Sequence, residues 1–150
     1  MGATEKIGDP NSQGALALDP IALLKALRPL QWVKNGLVFL PFVFAVDLAW
    51  STDDLGPVPE LLLKLVFVAL AFCALSSAIY LFNDLMDRSG DRLHPVKKNR
   101  PIASGKVGVP VAVAVMIMLA TAGLVVMVLV EPFLGLAGGL YAGINVAYSL

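Results

Sequence analysis

Apolar residues are gathered into four long segments of this chain, separated by short polar stretches. The segments cover residues 32–50, 61–83, 107–130 and 133–150, and the third carries no charged residue. A helix needs about 20 apolar residues to cross a hydrocarbon core about 30 Å thick. The pattern therefore predicts an all-α, polytopic membrane helical bundle with four transmembrane helices in this chain.

The N-terminal stretch has a different character from these segments. Residues 1–19 are polar, rich in Gly and Asp, and have too little apolar surface to fold, which predicts a disordered cytoplasmic tail. Asp19 and Pro20 then form a helix start signal, with an acidic cap and a proline in the first turn. Residues 20–150 are predicted to form the N-terminal part of a transmembrane domain.

Composition supports the membrane assignment and adds an orientation. The chain is 58% hydrophobic and 15% charged, and its zero net charge gives no sign of nucleic acid as a partner. Basic residues lie near the start of the first segment and between the second and third segments: Lys25, Arg28 and Lys34, then Arg88, Arg92, Lys97, Lys98, Arg100 and Lys106. The positive-inside rule therefore predicts a multi-pass cell-membrane protein whose N-terminus and whose Asp-rich loop between the second and third segments lie in the cytoplasm.

Acidic residues follow the second segment in the pattern N-D-x-x-D-x-x-x-D, formed by Asn83, Asp84, Asp87 and Asp91. In a continuous helix the three aspartates fall within roughly 60° of one another, although Gly90 and Pro95 leave the geometry of the last one open. Carboxylates so close repel unless a cation joins them, and hard oxygen ligands suit Mg²⁺. The motif predicts a magnesium site. Tyr80 lies on the same face of the helix, one turn before Asp84.

The basic residues of the following segment are Lys97, Lys98 and Arg100. Together with the acids they predict a site for a magnesium-bound diphosphate at a membrane surface. Two other interpretations stay open, because the acids could be solvated groups paired with Arg88 and Arg92, and the bases could be only a topological signal. Lys34 is likewise either a phosphate contact or a snorkelling lysine.

The acidic stretch resembles the first motif of the UbiA superfamily of intramembrane prenyltransferases, which is followed by a basic segment ending R-P-x-x-S-G. That ending is matched by Arg100, Pro101, Ser104 and Gly105. Longer stretches are similar to the branch of decaprenyl-phosphate phosphoribosyltransferases: Leu27–Ala45, Ser76–Asp84, His94–Gly105 and the final Tyr148–Leu150.

The resemblance implies a nine-helix fold, of which this chain would hold the first four helices. It implies Mg²⁺-dependent transfer of 5-phosphoribose from phosphoribosyl diphosphate to a polyprenyl phosphate, in the synthesis of the cell-wall arabinan precursor. The implied catalytic residues are Asp84, Asp87 and Asp91, which would hold the metal with Asn83. The implied substrate-binding residues are Lys34, Tyr80, Asn83, Lys97, Lys98 and Arg100.

Two other functions remain open at this point. One is an aromatic prenyltransferase of quinone biosynthesis, which would use the same magnesium–diphosphate chemistry. The other is a catalytically incomplete fragment that packs with another chain, since the family's second Asp motif is absent. Gly135, Gly139 and Gly143 form a small-residue face that would suit such packing, and a second copy of the chain is a candidate partner.

Overall fold

The computed structural model describes residues 16–149, which contain helices and isolated bridges but no β-strand. The helices are, in chain order, α1 (Pro20–Ala26), a 3-10 helix (Pro29–Phe39), α2 (Leu40–Phe44), α3 (Val58–Met86), α4 (Arg88–Leu93), a 3-10 turn (Lys97–Asn99), α5 (Val109–Val130) and α6 (Pro132–Ser149). Two of them, α3 and α5, are long and apolar enough to cross a membrane. The predicted all-α class is confirmed.

The predicted N-terminal tail is structured in its last residues. Residues 1–15 lie outside the described residues. Gly108 donates its backbone N–H to the carbonyl of Ala17 at 2.8 Å, and Asp19 donates its own to the carbonyl of Lys106 at 3.1 Å. Residues 17 and 19 are therefore part of the folded chain, because these backbone groups find partners in the segment that enters α5.

The start of α1 follows the sequence signal. Asp19 Oδ1 accepts the backbone N–H groups of Ile21 at 2.9 Å and Ala22 at 3.1 Å, and a proline occupies the first helical position. Ala22 and Ala26 are buried, whereas Ile21 and Leu24 are exposed. This division into a packed face and an exposed apolar face is typical of a helix at a membrane surface.

The first predicted membrane span, residues 32–50, is not a continuous α-helix. It consists of most of the 3-10 helix, then the short α2, then turns. Pro41 has no N–H to donate to the carbonyl of Leu37, and that carbonyl accepts the N–H of Leu40 instead, in the tighter 3-10 pattern. Pro41 therefore interrupts the α-helical hydrogen bonding at the junction of the 3-10 helix and α2.

Close approach of backbones packs α3, α5 and α6 side by side. A Cβ at Gly123 of α5 would lie 2.9 Å from a backbone carbonyl oxygen of α3. On α6, a Cβ at Gly135 or Gly138 would lie less than 3 Å from a side chain of α5, whereas a Cβ at Gly139 or Gly143 would meet nothing within 4 Å. Of the predicted glycine face, only Gly135 is therefore packed against another of the described helices. The second close contact of α6 with α5 is made by Gly138, which is not part of that face.

A cluster of buried residues ties the loop after α4 to the helices around it. Leu81 of α3 and Ile102 of the loop are fully buried, and they pack with Ala26 of α1 and Ala112 of α5. The same loop ends at Gly105, whose φ of 78° lies in the left-handed region that glycine adopts without strain. This packing fixes the R-P-x-x-S-G segment against the end of α3 that carries the acids.

Candidate functional site

The acidic motif keeps helical geometry through its last member. Asp87 links α3 to α4 in a right-handed helical conformation, and Asp91 donates its N–H to the carbonyl of Asp87 at 2.8 Å. Gly90 lies inside α4, so the break expected there does not occur, and the chain leaves the helix at His94. The question that the sequence left open for Asp91 is answered, since it follows Asp84 on the same helical path.

Two buried aspartates share an arginine at this end of α3. Arg100 Nη1 donates to Asp91 Oδ2 at 2.8 Å and to Asp84 Oδ1 at 3.3 Å. Arg28 Nη2 donates to the same oxygen of Asp84 at 2.7 Å. The aspartate side chains are 2% and 3% exposed, while those of Arg28 and Arg100 are 32% and 28% exposed. We call these four residues the arginine–aspartate cluster.

Arg28 enters the cluster from the turn between α1 and the 3-10 helix. Its φ of 52° and ψ of 59° lie in the left-handed region, which costs a residue other than glycine about 1 to 2 kcal/mol. Its guanidinium carbon lies 4.5 Å from the centre of the Tyr80 ring, a cation–π contact. A strained backbone persists where its surroundings compensate, and here the compensation is an ion pair with a buried carboxylate.

Sequence reasoning used Arg28 only as one of the basic residues that orient the chain in the membrane. The cue available in the sequence was its position immediately before Pro29, within one of the stretches that resemble the superfamily. Nothing in the sequence pairs it with Asp84, which lies 56 positions further along the chain. The contact depends on how α1 and α3 pack, and periodicity along either helix does not show this.

The cluster is suited to binding an anion. Its two carboxylates and two guanidinium groups balance in formal charge, which allows the carboxylates to be buried. Each guanidinium has five N–H donors, and Arg28 and Arg100 use few of them on aspartate. The exposed part of each arginine can therefore bind phosphate oxygens while the aspartates fix its position.

Other predicted site residues lie next to the cluster in the sequence without joining it. Asn83 Oδ1 is buried and has no hydrogen-bond partner among the described residues. Asp87 is exposed and faces a cavity of about 150 Å³, whose other lining residues are Gly90, Asp91, His94 and Lys97. An unpartnered acceptor and an exposed carboxylate are thus one helical turn apart, and both keep free oxygen atoms.

The predicted lysines lie outside the ion-pair network of the described residues. Lys34 is exposed on the 3-10 helix, and Lys97 and Lys98 are exposed in the 3-10 turn. The backbone N–H of Lys97 donates to His94 Nδ1 at 3.2 Å, so this histidine stabilises the turn through its ring. The structure therefore brings together Arg100 with two of the aspartates, and leaves the three lysines at the surface.

The oxygen atoms present fit Mg²⁺ in kind but do not form a closed metal cage. Within the described residues no group of three His, Cys, Asp or Glu side chains is arranged to hold a metal ion. Asp84 and Asp91 each give an oxygen to arginine, while Asn83 and Asp87 keep theirs. Because Mg²⁺ often takes one or two protein carboxylates and completes its shell with water and phosphate, the set fits a metal that binds together with a phosphate ligand.

The polar stripe upstream of the acids contacts the 3-10 helix. Trp32 Nε1 donates to Ser77 Oγ at 3.0 Å, and Ser77 Oγ donates to the carbonyl of Leu27 at 2.9 Å. Asn35 Nδ2 lies 3.3 Å from Cys73 Sγ, one turn earlier on α3. These contacts fix the residues on either side of Arg28 against α3. The polar residues of α3 before the acids therefore help to position this arginine in the site.

An apolar cavity of about 250 Å³ lies among α3, α5 and α6. Its walls include Ile79 and Phe82 of α3, Met116 of α5 and Val146 of α6. Phe82 directly precedes the first residue of the acidic motif in the sequence, although no residue of the motif lines the cavity. The lining suits a hydrocarbon chain.

Two helices of membrane length, with an arginine–aspartate cluster at the end of one, define a helical membrane protein. A family model described as the UbiA prenyltransferase family matches residues 38–150. The chain belongs to this family, which confirms the resemblance drawn from its motifs.

Curated relatives are similar over most of this chain. The decaprenyl-phosphate phosphoribosyltransferase of Mycolicibacterium smegmatis is 36% identical over 126 residues, which cover 84% of this chain and 38% of the relative. The protein of the same name in Corynebacterium glutamicum is 36% identical over 128 residues, 84% of this chain and 37% of the relative. The nodulation protein NoeC of Azorhizobium caulinodans is 42% identical over 96 residues, 64% of this chain and 28% of the relative. The chain thus spans about two fifths or less of these relatives.

Proposed function

We propose that this chain forms the donor-binding part of a membrane phosphoribosyltransferase. The reaction is transfer of 5-phosphoribose from phosphoribosyl diphosphate to a polyprenyl phosphate, such as decaprenyl phosphate, with release of diphosphate. The observation that carries the proposal is the arginine–aspartate cluster, in which two partly exposed guanidinium groups are fixed by two buried carboxylates. The names of two of the relatives support this choice of substrates.

The donor is a polyanion, and the charges around the cluster suit it. Arg28 and Arg100 present planar N–H donors, which match phosphate oxygens in geometry as well as in charge. Lys97 and Lys98 add exposed positive charge in the same loop as Arg100. We assign the two arginines to the diphosphate and the lysines to the outer phosphate oxygens of the donor.

The chemistry breaks the bond between ribose C1 and the diphosphate oxygen and forms a bond from C1 to an oxygen of the lipid phosphate. Negative charge builds on the departing diphosphate, where Arg28 and Arg100 stabilise it. Asn83 and Asp87 would hold Mg²⁺ at this site, and the ion would add to the stabilisation of that charge. The acceptor phosphate is already ionised near neutral pH, since its second pKa is about 6, and no strong general base is needed.

The proposal extends to location and role. The basic residues between α3 and α5 support a location of the site on the cytoplasmic side of the cell membrane, where the charged donor is available. The product would serve as a precursor of cell-wall arabinan, as the resemblance implies. In this proposal, the rest of the active site comes from a part that corresponds to the stretch of the relatives not covered by this chain. A second copy of the chain stays a candidate partner.

A second candidate is an aromatic prenyltransferase that takes a prenyl diphosphate as donor. The apolar cavity beside Phe82 favours it, because a prenyl donor needs an apolar channel that ends at the diphosphate site. The same cavity suits the prenyl chain of a lipid phosphate acceptor, so it agrees with both reactions. The two reactions differ in the donor and in the acceptor, and the experiment varies both.

The test is transfer from radiolabelled phosphoribosyl diphosphate to a polyprenyl phosphate in membranes, with Mg²⁺ and with a chelator. It is run on this chain and on a chain extended to the length of the relatives. We expect labelled lipid with Mg²⁺ from the extended chain and none with chelator. Product from a prenyl diphosphate and an aromatic acid, with none from the phosphoribosyl donor, would move the protein to the second candidate.

Asp87→Asn tests the metal assignment separately. Asp87 is exposed and unpaired with arginine in the described residues, so the substitution should leave folding intact. We expect Mg²⁺-dependent diphosphate binding to fall by about tenfold or more, the size typical of losing a metal-site partner. Asp53→Asn, an exposed acid at the other end of α3, is the matched control, and equal affinity for both variants would remove Asp87 from the metal set.

A further inference from the structure

A second cavity, of about 480 Å³, lies at the turn between α1 and the 3-10 helix. It is lined by Leu24, Lys25, Arg28, Pro29, Leu30 and Gln31. Two of these residues are basic and none is acidic, so the cavity attracts anions. It is separate from the cavity of Asp87 and from the apolar cavity between α3, α5 and α6.

The cavity combines a basic side with an apolar rim. Lys25 is exposed and makes no ion pair among the described residues, and Arg28 has unused N–H donors besides those directed to Asp84. Leu24 is 55% exposed and Leu30 is 88% exposed. Bases next to leucines this exposed are typical of a protein surface that contacts lipid headgroups and the first carbons of their chains.

We propose that this cavity binds the phosphate of a membrane lipid monophosphate. Lys25 and Arg28 contact its phosphate oxygens, and Leu24 and Leu30 contact the start of its hydrocarbon chain. The inference rests on the proposed function, in which a lipid of this class is the acceptor. A free phosphate ion would use the bases but not the leucine rim, and a neutral lipid would use the rim but not the bases.

Arg28 connects this cavity to the arginine–aspartate cluster. One of its nitrogen atoms donates to Asp84, and its side chain also lines the cavity. A lipid phosphate bound there is therefore one side chain away from the proposed donor site. Arg28 thus belongs both to the cluster that binds the leaving group and to the lining of the cavity that binds the acceptor.

Lipid binding without any donor gives the first test. The extended chain is reconstituted in phosphatidylcholine nanodiscs with a small fraction of polyprenyl phosphate, and bound lipid is counted by native mass spectrometry. We expect Lys25→Gln to weaken binding of the lipid phosphate about tenfold and Lys25→Arg to restore most of it. Lys106→Gln is the control, because it removes an exposed, unpaired lysine near the same loops that does not line the cavity.

Equal binding of polyprenyl phosphate by Lys25→Gln and Lys106→Gln would overturn the proposal. So would displacement of the lipid by inorganic phosphate at similar concentrations, since the site would then recognise free phosphate. Equal retention of the neutral polyprenol would show that the bases are not used.

Transfer kinetics separate this inference from the proposed function. Lys25→Gln should raise KM for the lipid phosphate about tenfold and leave KM for phosphoribosyl diphosphate unchanged. A chain that binds lipid phosphate through Lys25 but transfers no phosphoribose would contradict the proposed function and leave the lipid site standing. Active transfer with an unchanged lipid KM in Lys25→Gln would overturn the lipid site alone.

Discussion

Arg100 allows two neighbouring carboxylates to be buried. Asp84 and Asp91 are almost fully buried, and one nitrogen of Arg100 donates to both. Removing one partner of a buried ion pair costs about 3 to 5 kcal/mol, because the other charge is left without compensation. The pair of Lys64 and Glu60 is a useful contrast, since both side chains are more than half exposed and such pairs contribute about 0.2 to 1 kcal/mol.

We expect Arg100→Gln to lower the free energy of unfolding by about 3 kcal/mol, because it leaves Asp91 without its guanidinium partner. Lys64→Gln should change it by less than about 1 kcal/mol. The measurement is denaturant unfolding of both variants in the same detergent, together with diphosphate binding at a denaturant-free condition. Similar unfolding midpoints for the two variants would show that the cluster does not support the fold.

The residues of the site differ in how well the sequence could identify them. Helical spacing was enough to indicate that Asp84 and Asp91 lie close together, although it did not show that Asp87 stays exposed outside their cluster. The motif spacing did not show that Arg100 bridges two of the acids, or that Arg28 completes the cluster. Those contacts arise from a loop folding back and from a turn before the 3-10 helix, and both depend on tertiary packing.

At the scale of elements, the sequence was most informative where hydrophobicity alone decides the structure. The apolar segments at 61–83 and 107–130 correspond to α3 and α5, with ends that differ by a few residues. The segment at 32–50 is equally apolar, yet its hydrogen bonding follows the 3-10 pattern around Pro41. Hydrophobicity predicts that a segment is buried in lipid or protein, whereas the hydrogen-bond pattern also depends on proline and on the side chains that contact the segment.

Glycines on α5 and α6 allow a direct test of the packing between these helices and α3. A Cβ at Gly123 would lie 2.9 Å from the carbonyl oxygen of Ala71, so Gly123→Ala should push α3 and α5 apart and cost about 1 to 3 kcal/mol. Gly139 is helical, exposed and open, so Gly139→Ala should be neutral or stabilise by up to about 1 kcal/mol.

Thermal unfolding of the two alanine variants in one detergent measures the difference. We expect a lower midpoint for Gly123→Ala than for the unsubstituted chain, and an equal or higher one for Gly139→Ala. A destabilised Gly139→Ala would show that the open face of α6 packs against something beyond the described residues. An unaffected Gly123→Ala would show that α3 and α5 are less tightly packed than their backbone distance indicates.

Charge and length at the scale of the whole molecule describe a protein with two different ends. α3 has 29 residues, and at about 1.5 Å per residue it is about 43 Å long, enough to cross a hydrocarbon core of about 30 Å with a turn or more to spare. The end of α3 near Asp53 follows a loop whose charges are all negative. The other end carries the cluster and is followed by most of the basic residues of the chain.

This asymmetry predicts that the site and the loop that contains Asp53 face opposite sides of the membrane, with the site in the cytoplasm. Cysteines introduced as Ser89→Cys and Asp53→Cys, both at exposed positions, report the two sides to a membrane-impermeant maleimide. The native Cys73 lies midway along α3 and should stay unlabelled in the unsubstituted chain. We expect Asp53→Cys to react in intact cells and Ser89→Cys to react only after permeabilisation. Labelling of both from one side would mean that α3 does not cross the membrane, and the reverse result would place the candidate site away from its phosphorylated donor.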